Sequence, residues 1–250
     1  MLIDFCPSQY ILDKVVCFPS SEITVLADRV VEVFFIALQQ DIYFYIVVPY
    51  IFVKNIIGGK EYSVSELIEK VLRFKEYFGN DGGVTLSGGE PLLQPQFSTE
   101  FFIKCKENGI NTCLDTSGSI LNDDVKELLK VTDRVLLDIK YPTDEQYRTY
   151  VGCSIEKPLK FLEYLNAKGI KTTLRQVIIP TLNDNEKSVD FLNALTEKYK
   201  VIDKVELLPF RKICKVKYDN MGMRFNFDKY PTPTAEEMKK LNERLKVNGK

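Results

Sequence analysis

The apolar run Val84–Leu86 meets Ser87 and then Gly88, Gly89, Glu90 and Pro91. A buried strand that ends this way runs into a tight loop able to admit a ligand. Glycine lets backbone approach a bound group and take positive φ. Glu90 places a negative acceptor at the rim, and Pro91 suits the first position of a following helical turn. A plain strand-to-helix turn needs only one glycine, so the sequence supports either reading.

Asp138, Ile139 and Lys140 follow another apolar run. Residues two apart on a strand share a face, so the carboxylate and the ammonium point the same way. They suit a local ion pair, which is worth little if exposed, or a ligand pocket. Arg175 lies inside an apolar strand, where arginine is rarely buried without a partner. It needs a carboxylate or a ligand, unless its stem packs at a rim. Asp115 follows a short strand and precedes Ser117-Gly118, a setting for an Asx-turn. It could equally share a monovalent cation with Asp138, since oxygen ligands suit a hard ion.

The chain has no histidine, which removes a histidine-bearing triad and any histidine-ligated metal. The six cysteines, Cys6, Cys17, Cys105, Cys113, Cys153 and Cys214, are widely and irregularly spaced. No Cys-x-x-Cys or Cys-x3-Cys-x2-Cys occurs, so buried reduced thiols are the expectation.

Elements that would position these residues are legible from Gly58 on. Ser63 and Glu66 form a capping box, and apolar residues at helical spacing predict an amphipathic helix over Ser63–Phe78. Val84–Ser87 reads as a strand. Phe97–Asn108 reads as a helix stopped by Gly109. A strand Asn111–Leu114, a helix Asp123–Val131 capped by Asn122 and a strand Arg134–Leu137 follow. Then come a helix Lys157–Lys168 stopped by Gly169, a strand Lys171–Ile179, a helix Asn185–Tyr199, a strand Lys204–Leu208 and a helix Thr234–Val247. Short apolar strands alternating with helices predict an α/β fold with parallel strands covered by helices. Periodicity alone leaves a partial barrel and an open doubly wound sheet as alternatives.

Residues 1–57 read differently. They hold many β-branched and aromatic residues and no glycine, with strands expected over Val30–Leu38 and Ile42–Val53. The second run is too short for a membrane helix and contains Pro49. No basic segment followed by an apolar one marks a signal peptide. A net charge of −1 gives no electrostatic case for nucleic acid or an anionic membrane.

Thr85–Leu93, Thr112–Gly118, Leu136–Lys140, Arg175 with Ile178–Pro180, and Glu206–Phe210 together resemble the activating enzymes of pyruvate formate-lyase, within the radical S-adenosylmethionine (SAM) enzymes. The resemblance covers the chain from about Gly58 to the C-terminus. It implies a partial (βα) barrel of the radical SAM type with its site at the C-terminal strand ends. It implies that Gly88, Gly89 and Glu90 hold the SAM amino group, and that Asp138, Ile139 and Lys140 line the pocket with Lys140 reaching the SAM carboxylate. Arg175 joins this site. Arg211 stands where the family often has a histidine against the adenosine, and arginine can stack on adenine or bond ribose oxygens.

By the same resemblance the cofactors are SAM and a [4Fe–4S] cluster. The cluster generates a 5′-deoxyadenosyl radical that takes a hydrogen from a glycine of pyruvate formate-lyase. The partners are that enzyme or another glycyl-radical enzyme, and an electron donor such as flavodoxin or ferredoxin. A cytoplasmic monomer is expected.

One departure stands out. The family has Cys-x3-Cys-x2-Cys, expected near Asp41 to Val48, and this chain has no cysteine there. Domain organisation is therefore expected as an atypical segment 1–57, a frame-disrupted copy or a true variant, before a barrel-like part 58–250. The alternatives are a non-catalytic remnant that at most binds SAM or the glycyl-radical enzyme, and an unrelated βα-barrel enzyme using Glu90, Asp138 and Lys140 for acid–base work.

Overall fold

The computed structural model describes residues 32–38, 41–48, 62–79, 82–88, 90–220 and 224–247, with backbone alone at 32–38, 41–48, 88, 214, 217 and 220. They form two compact units, one ending at Leu136 and one from Leu137 onward. From the strand Asp41–Val48 onward strands alternate with helices. Asp41–Val48 with Gly83–Gly88, Gly83–Gly88 with Asn111–Thr116, and Lys171–Ile178 with Ile202–Pro209 pair in parallel, as the α/β expectation requires.

The first unit holds β1 (Glu32–Leu38), β2 (Asp41–Val48), α1 (Val64–Leu72), β3 (Gly83–Gly88), α2 (Pro95–Glu107), β4 (Asn111–Thr116) and α3 (Asp123–Lys130). β1 pairs antiparallel with β2, β2 parallel with β3, and β3 parallel with β4. Gly83 sits opposite Asn111, and a Cβ there would lie 2.2 Å from the Asn111 carbonyl oxygen. Only glycine allows β3 to begin so close to β4.

α1 carries the expected capping box and buries Val64, Leu67, Ile68 and Val71. The helix stops at Leu72 rather than Phe78, and a 3₁₀ turn, Lys75–Tyr77, follows. Lys75, Glu76 and Tyr77 are exposed, so the apolar stripe that would extend the α-helix has run out. The tighter turn still brings Phe78 into the core, 7% exposed.

Asp133 ties three elements of this unit together. Its carboxylate accepts from the Thr112 N–H at 2.8 Å and pairs with Lys106 of α2 at 2.5 Å. Its own N–H donates to the Thr112 carbonyl at 3.0 Å.

β5 (Arg134–Asp138) ends in the second unit, which continues with α4 (Asp144–Tyr150), α5 (Glu156–Lys168), β6 (Lys171–Ile178), α6 (Glu186–Lys198), β7 (Ile202–Pro209), α7 (Lys215–Asn220) and α8 (Ala235–Glu243). β6 and β7 are parallel, with Thr172 opposite Ile202 and Ile178 opposite Pro209. Asn122, Asn185 and Thr234 each cap the following helix through a side-chain acceptor. α8 ends before Val247, because Asn193 of α6 takes over its last turn. The Asn193 amide donates to the Arg244 carbonyl and accepts from the Lys246 N–H, each at 3.0 Å.

α4 was not expected from the sequence, although Thr143 with Asp144 and Glu145 is a legible start: the Thr143 hydroxyl accepts from the Gln146 N–H. The helix has only seven residues, too few for a clear apolar period. An aromatic cluster around Tyr141, Tyr147, Phe210, Tyr218, Phe225 and Phe227 forms part of the core of this unit. No helix among the described residues is long and apolar enough to cross a membrane.

Candidate functional site

Two polar clusters sit at strand ends, one in each unit. In the first unit, Glu90 follows β3 and is 5% exposed. Its carboxylate accepts from the Thr116 hydroxyl at 2.6 Å, the Leu92 N–H at 3.2 Å, the Ser117 N–H at 3.0 Å and the Ser117 hydroxyl. An ionised carboxylate has room for about four such bonds. Glu90 therefore joins the loop after β3 to the end of β4, and its side chain caps the 3₁₀ turn Pro91–Leu93 by accepting from the Leu92 N–H.

Asp115, 3% exposed, accepts from the Ser87 hydroxyl at 2.6 Å, a second bond between the ends of β3 and β4. The Gly118 N–H donates to the Thr116 hydroxyl at 3.1 Å, so Thr116 supports this turn. Gly88 is the last residue of β3, while Gly89 lies outside the described residues.

The second cluster lies in the later unit. Asp138 accepts from Lys140 Nζ at 2.9 Å on Oδ2. On Oδ1 it accepts from Arg175 Nε at 3.0 Å and from a terminal guanidinium nitrogen at 2.9 Å. The side chains of Lys140, Asp138 and Arg175 are 4%, 10% and 13% exposed. Arg175 thus has the carboxylate partner that its place in an apolar strand demands.

Ile139 is fully buried. Its N–H bonds the Arg175 carbonyl and its carbonyl accepts from the Gln176 amide. Arg211 is exposed and opens the 3₁₀ turn Lys212–Cys214. The sequence reading missed Gln176, Tyr147 and Asn183, which support this cluster through side-chain bonds to the Ile139–Lys140 backbone. Such contacts across 37, 7 and 43 residues leave no mark in local spacing.

Three of the six thiols lie among the described side chains and can be compared with what an iron–sulfur cluster needs. Cys105, Cys113 and Cys153 are buried and outside any disulfide. Burial pushes the Cys105 thiol up to about 12, so it is neutral at pH 7. Cys153 sits in the aromatic cluster. Among the described residues no set of three or more His, Cys, Asp or Glu side chains could hold a metal ion. Iron–sulfur clusters need thiolates held close together, and these cysteines do not supply them. Residues 41–48, where thiols were expected, form β2 without a cysteine.

Lys140 and Arg175 are the donor types that recognise a carboxylate such as that of SAM.

The model of the Radical SAM superfamily matches residues 43–192. The pyruvate formate-lyase 1-activating enzyme of Escherichia coli is 37% identical over 195 residues, covering 77% of this chain and 79% of that one. The pyruvate formate-lyase-activating enzyme of Clostridium pasteurianum is 39% identical over 193 residues, covering 77% and 81%. Among solved structures, a radical SAM methyltransferase from Sphaerobacter thermophilus superposes with a TM-score of 0.60 at 14% identity, covering 88% and 67%. That likeness concerns the fold, and it selects the partial barrel over the open doubly wound sheet. With its strand-end clusters and these relatives, the chain belongs to the radical SAM superfamily and is a homologue of the pyruvate formate-lyase-activating enzymes.

Proposed function

We propose that this chain is a SAM-binding protein of the pyruvate formate-lyase-activating type that, in its present sequence, assembles no [4Fe–4S] cluster and so does not cleave SAM. The observation that carries the binding half is the buried convergence of Lys140 and Arg175 on Asp138. A carboxylate that already fixes two cations lets them receive a second, external carboxylate without first being ordered. Lys140 then takes the SAM carboxylate with Asp138 and Ile139 lining the pocket. The end of β3 takes the amino group through Gly88, Gly89 and Glu90. Because Glu90 is bonded to Thr116 and Ser117, it meets that amino group only by exchanging one of those hydroxyls. Arg211 lies exposed for the adenosine.

The absent motif carries the other half. An iron–sulfur cluster is the family's means of reductive cleavage, and the sequence contains no Cys-x3-Cys-x2-Cys. We read residues 1–57 as a frame-disrupted copy of the family segment. Read one nucleotide earlier, codons compatible with Ala27–Glu32 permit Gly-Pro-Gly-Xaa-Arg, the turn the family carries there. An uninterrupted frame without a slip in the source DNA rejects that origin. Pyruvate formate-lyase is the protein partner proposed, from the names of the relatives.

Anaerobic reconstitution with iron and sulfide, followed by electron paramagnetic resonance and product analysis, tests the function. Calorimetry is expected to show SAM binding, with no [4Fe–4S] signal and no SAM cleavage. A cluster signal accompanied by cleavage overturns the proposal.

A further inference from the structure

We propose that Tyr147, Asn183 and Gln176 are positioning residues that aim Lys140 at the SAM carboxylate, an inference that rests on the reading of Lys140 just given. β5 ends at Asp138, so the strand ladder no longer serves the backbone that carries Lys140. The Ile139 N–H keeps a backbone partner, the Arg175 carbonyl at 2.9 Å. Side chains take the other three groups. Gln176 of β6 donates to the Ile139 carbonyl at 3.0 Å. Tyr147 of α4 accepts from the Lys140 N–H at 2.9 Å. Asn183, between β6 and α6, donates to the Lys140 carbonyl at 3.1 Å.

All three supports are buried, at 1%, 2% and 0% exposure. A polar side chain that is buried and bonded in low dielectric holds its partner firmly, and its loss leaves an orphaned backbone group. Asn183 is fixed in its turn. Its oxygen accepts from the Ile179 N–H at 2.7 Å, and its nitrogen also donates to the Val177 carbonyl at 2.8 Å. These partners leave only one orientation for the amide. The neighbouring loop is held in an unusual shape: Thr181, a β-branched residue, has φ 72°. Such a conformation persists where the surroundings over-determine it, a pattern that concentrates at ligand sites.

A plain strand extension also needs its backbone groups satisfied, so the test must separate aim from stability. The ligand pair is SAM and its decarboxylated analogue, S-adenosylmethylthiopropylamine, each titrated calorimetrically against the full chain. The wild type is expected to prefer SAM, and Lys140→Met to abolish that preference. Tyr147→Phe and Asn183→Asp are expected to cut the SAM-to-analogue preference by roughly three- to tenfold, as coupled neighbours do. Affinity for the analogue stays unchanged. Adding Tyr147→Phe to Lys140→Met causes no further change in preference. Gln176→Met, close in shape, carries the test if Tyr147→Phe does not fold by circular dichroism.

Parallel losses for both ligands, or an unchanged preference in the folded variants, overturn the inference while leaving the SAM reading intact. A wild type that binds SAM no better than the analogue, or not at all, overturns the Lys140 reading and this inference with it.

Discussion

Glu90 accepts from two backbone N–H groups and two hydroxyls, so its first role is to join the ends of β3 and β4. Sequence presents the same glutamate as a ligand residue, because a carboxylate after a glycine pair looks the same whether it faces a ligand or its own chain. The two roles separate under substitution. Glu90→Gln replaces one carboxylate oxygen with an amide donor, so Ser117 loses its acceptor and one buried N–H is orphaned. Urea unfolding is expected to show a loss of about 1–3 kcal/mol, the cost of an unsatisfied buried group. Thr116→Ser keeps its hydroxyl and leaves the midpoint nearly in place. A Glu90→Gln midpoint equal to the wild type would mean that these four bonds hold nothing.

At the scale of elements, helix starts were the most legible feature and helix ends the least. Ser63, Asn122, Asn185 and Thr234 announce their helices through local side-chain caps, which sequence carries directly. The ends depend on partners distant in sequence. α8 stops where Asn193 intercepts its last turn, and the 3₁₀ turn after α1 exists because Phe78 has a core to enter. The cation cluster divides the same way: Arg175 called for a carboxylate or a ligand unless it packed at a rim, but Asp138, 37 residues away, could not be identified as its partner from spacing.

Asp133 shows how such long-range ties respond to pH. Burial pushes its carboxyl up, but its bonds with Lys106 and Thr112 outweigh this and hold it below the ordinary carboxylate range. A depressed folded-state pKa means that the stabilisation is complete above the unfolded value, about 3.9, and disappears as pH falls through the folded value. Asp133→Asn keeps an oxygen for the Thr112 N–H and loses the Lys106 pair. The side chain is 38% exposed and that pair is screened, so the expected loss at pH 7 is small, about 0.5 kcal/mol. The gap between variant and wild type should close as pH drops below about 3.9, measured by urea unfolding. A gap that is constant from pH 7 to pH 3 would assign the effect to packing instead of charge.

Across the whole chain the sequence changes character near Gly58. All 13 glycines lie from Gly58 onward, although average usage would place about four among the first 57 residues. Glycine is needed wherever backbone turns sharply or approaches closely, so a segment without any is poorly suited to the turn and loop that seat a cluster. The later part keeps its caps, its parallel pairing and its Lys140–Asp138–Arg175 cluster. If the fault is confined to the front, replacing it should restore the chemistry. A chimera that joins the N-terminal segment of the Escherichia coli relative to residues 58–250 of this chain is expected to take up iron and sulfide anaerobically. It should give a [4Fe–4S] resonance signal and turn over SAM, while the unaltered chain does neither. A folded chimera that holds the cluster yet fails to bind SAM would place a second fault in residues 58–250 and break the reading of Lys140 and Arg175 as a competent carboxylate site.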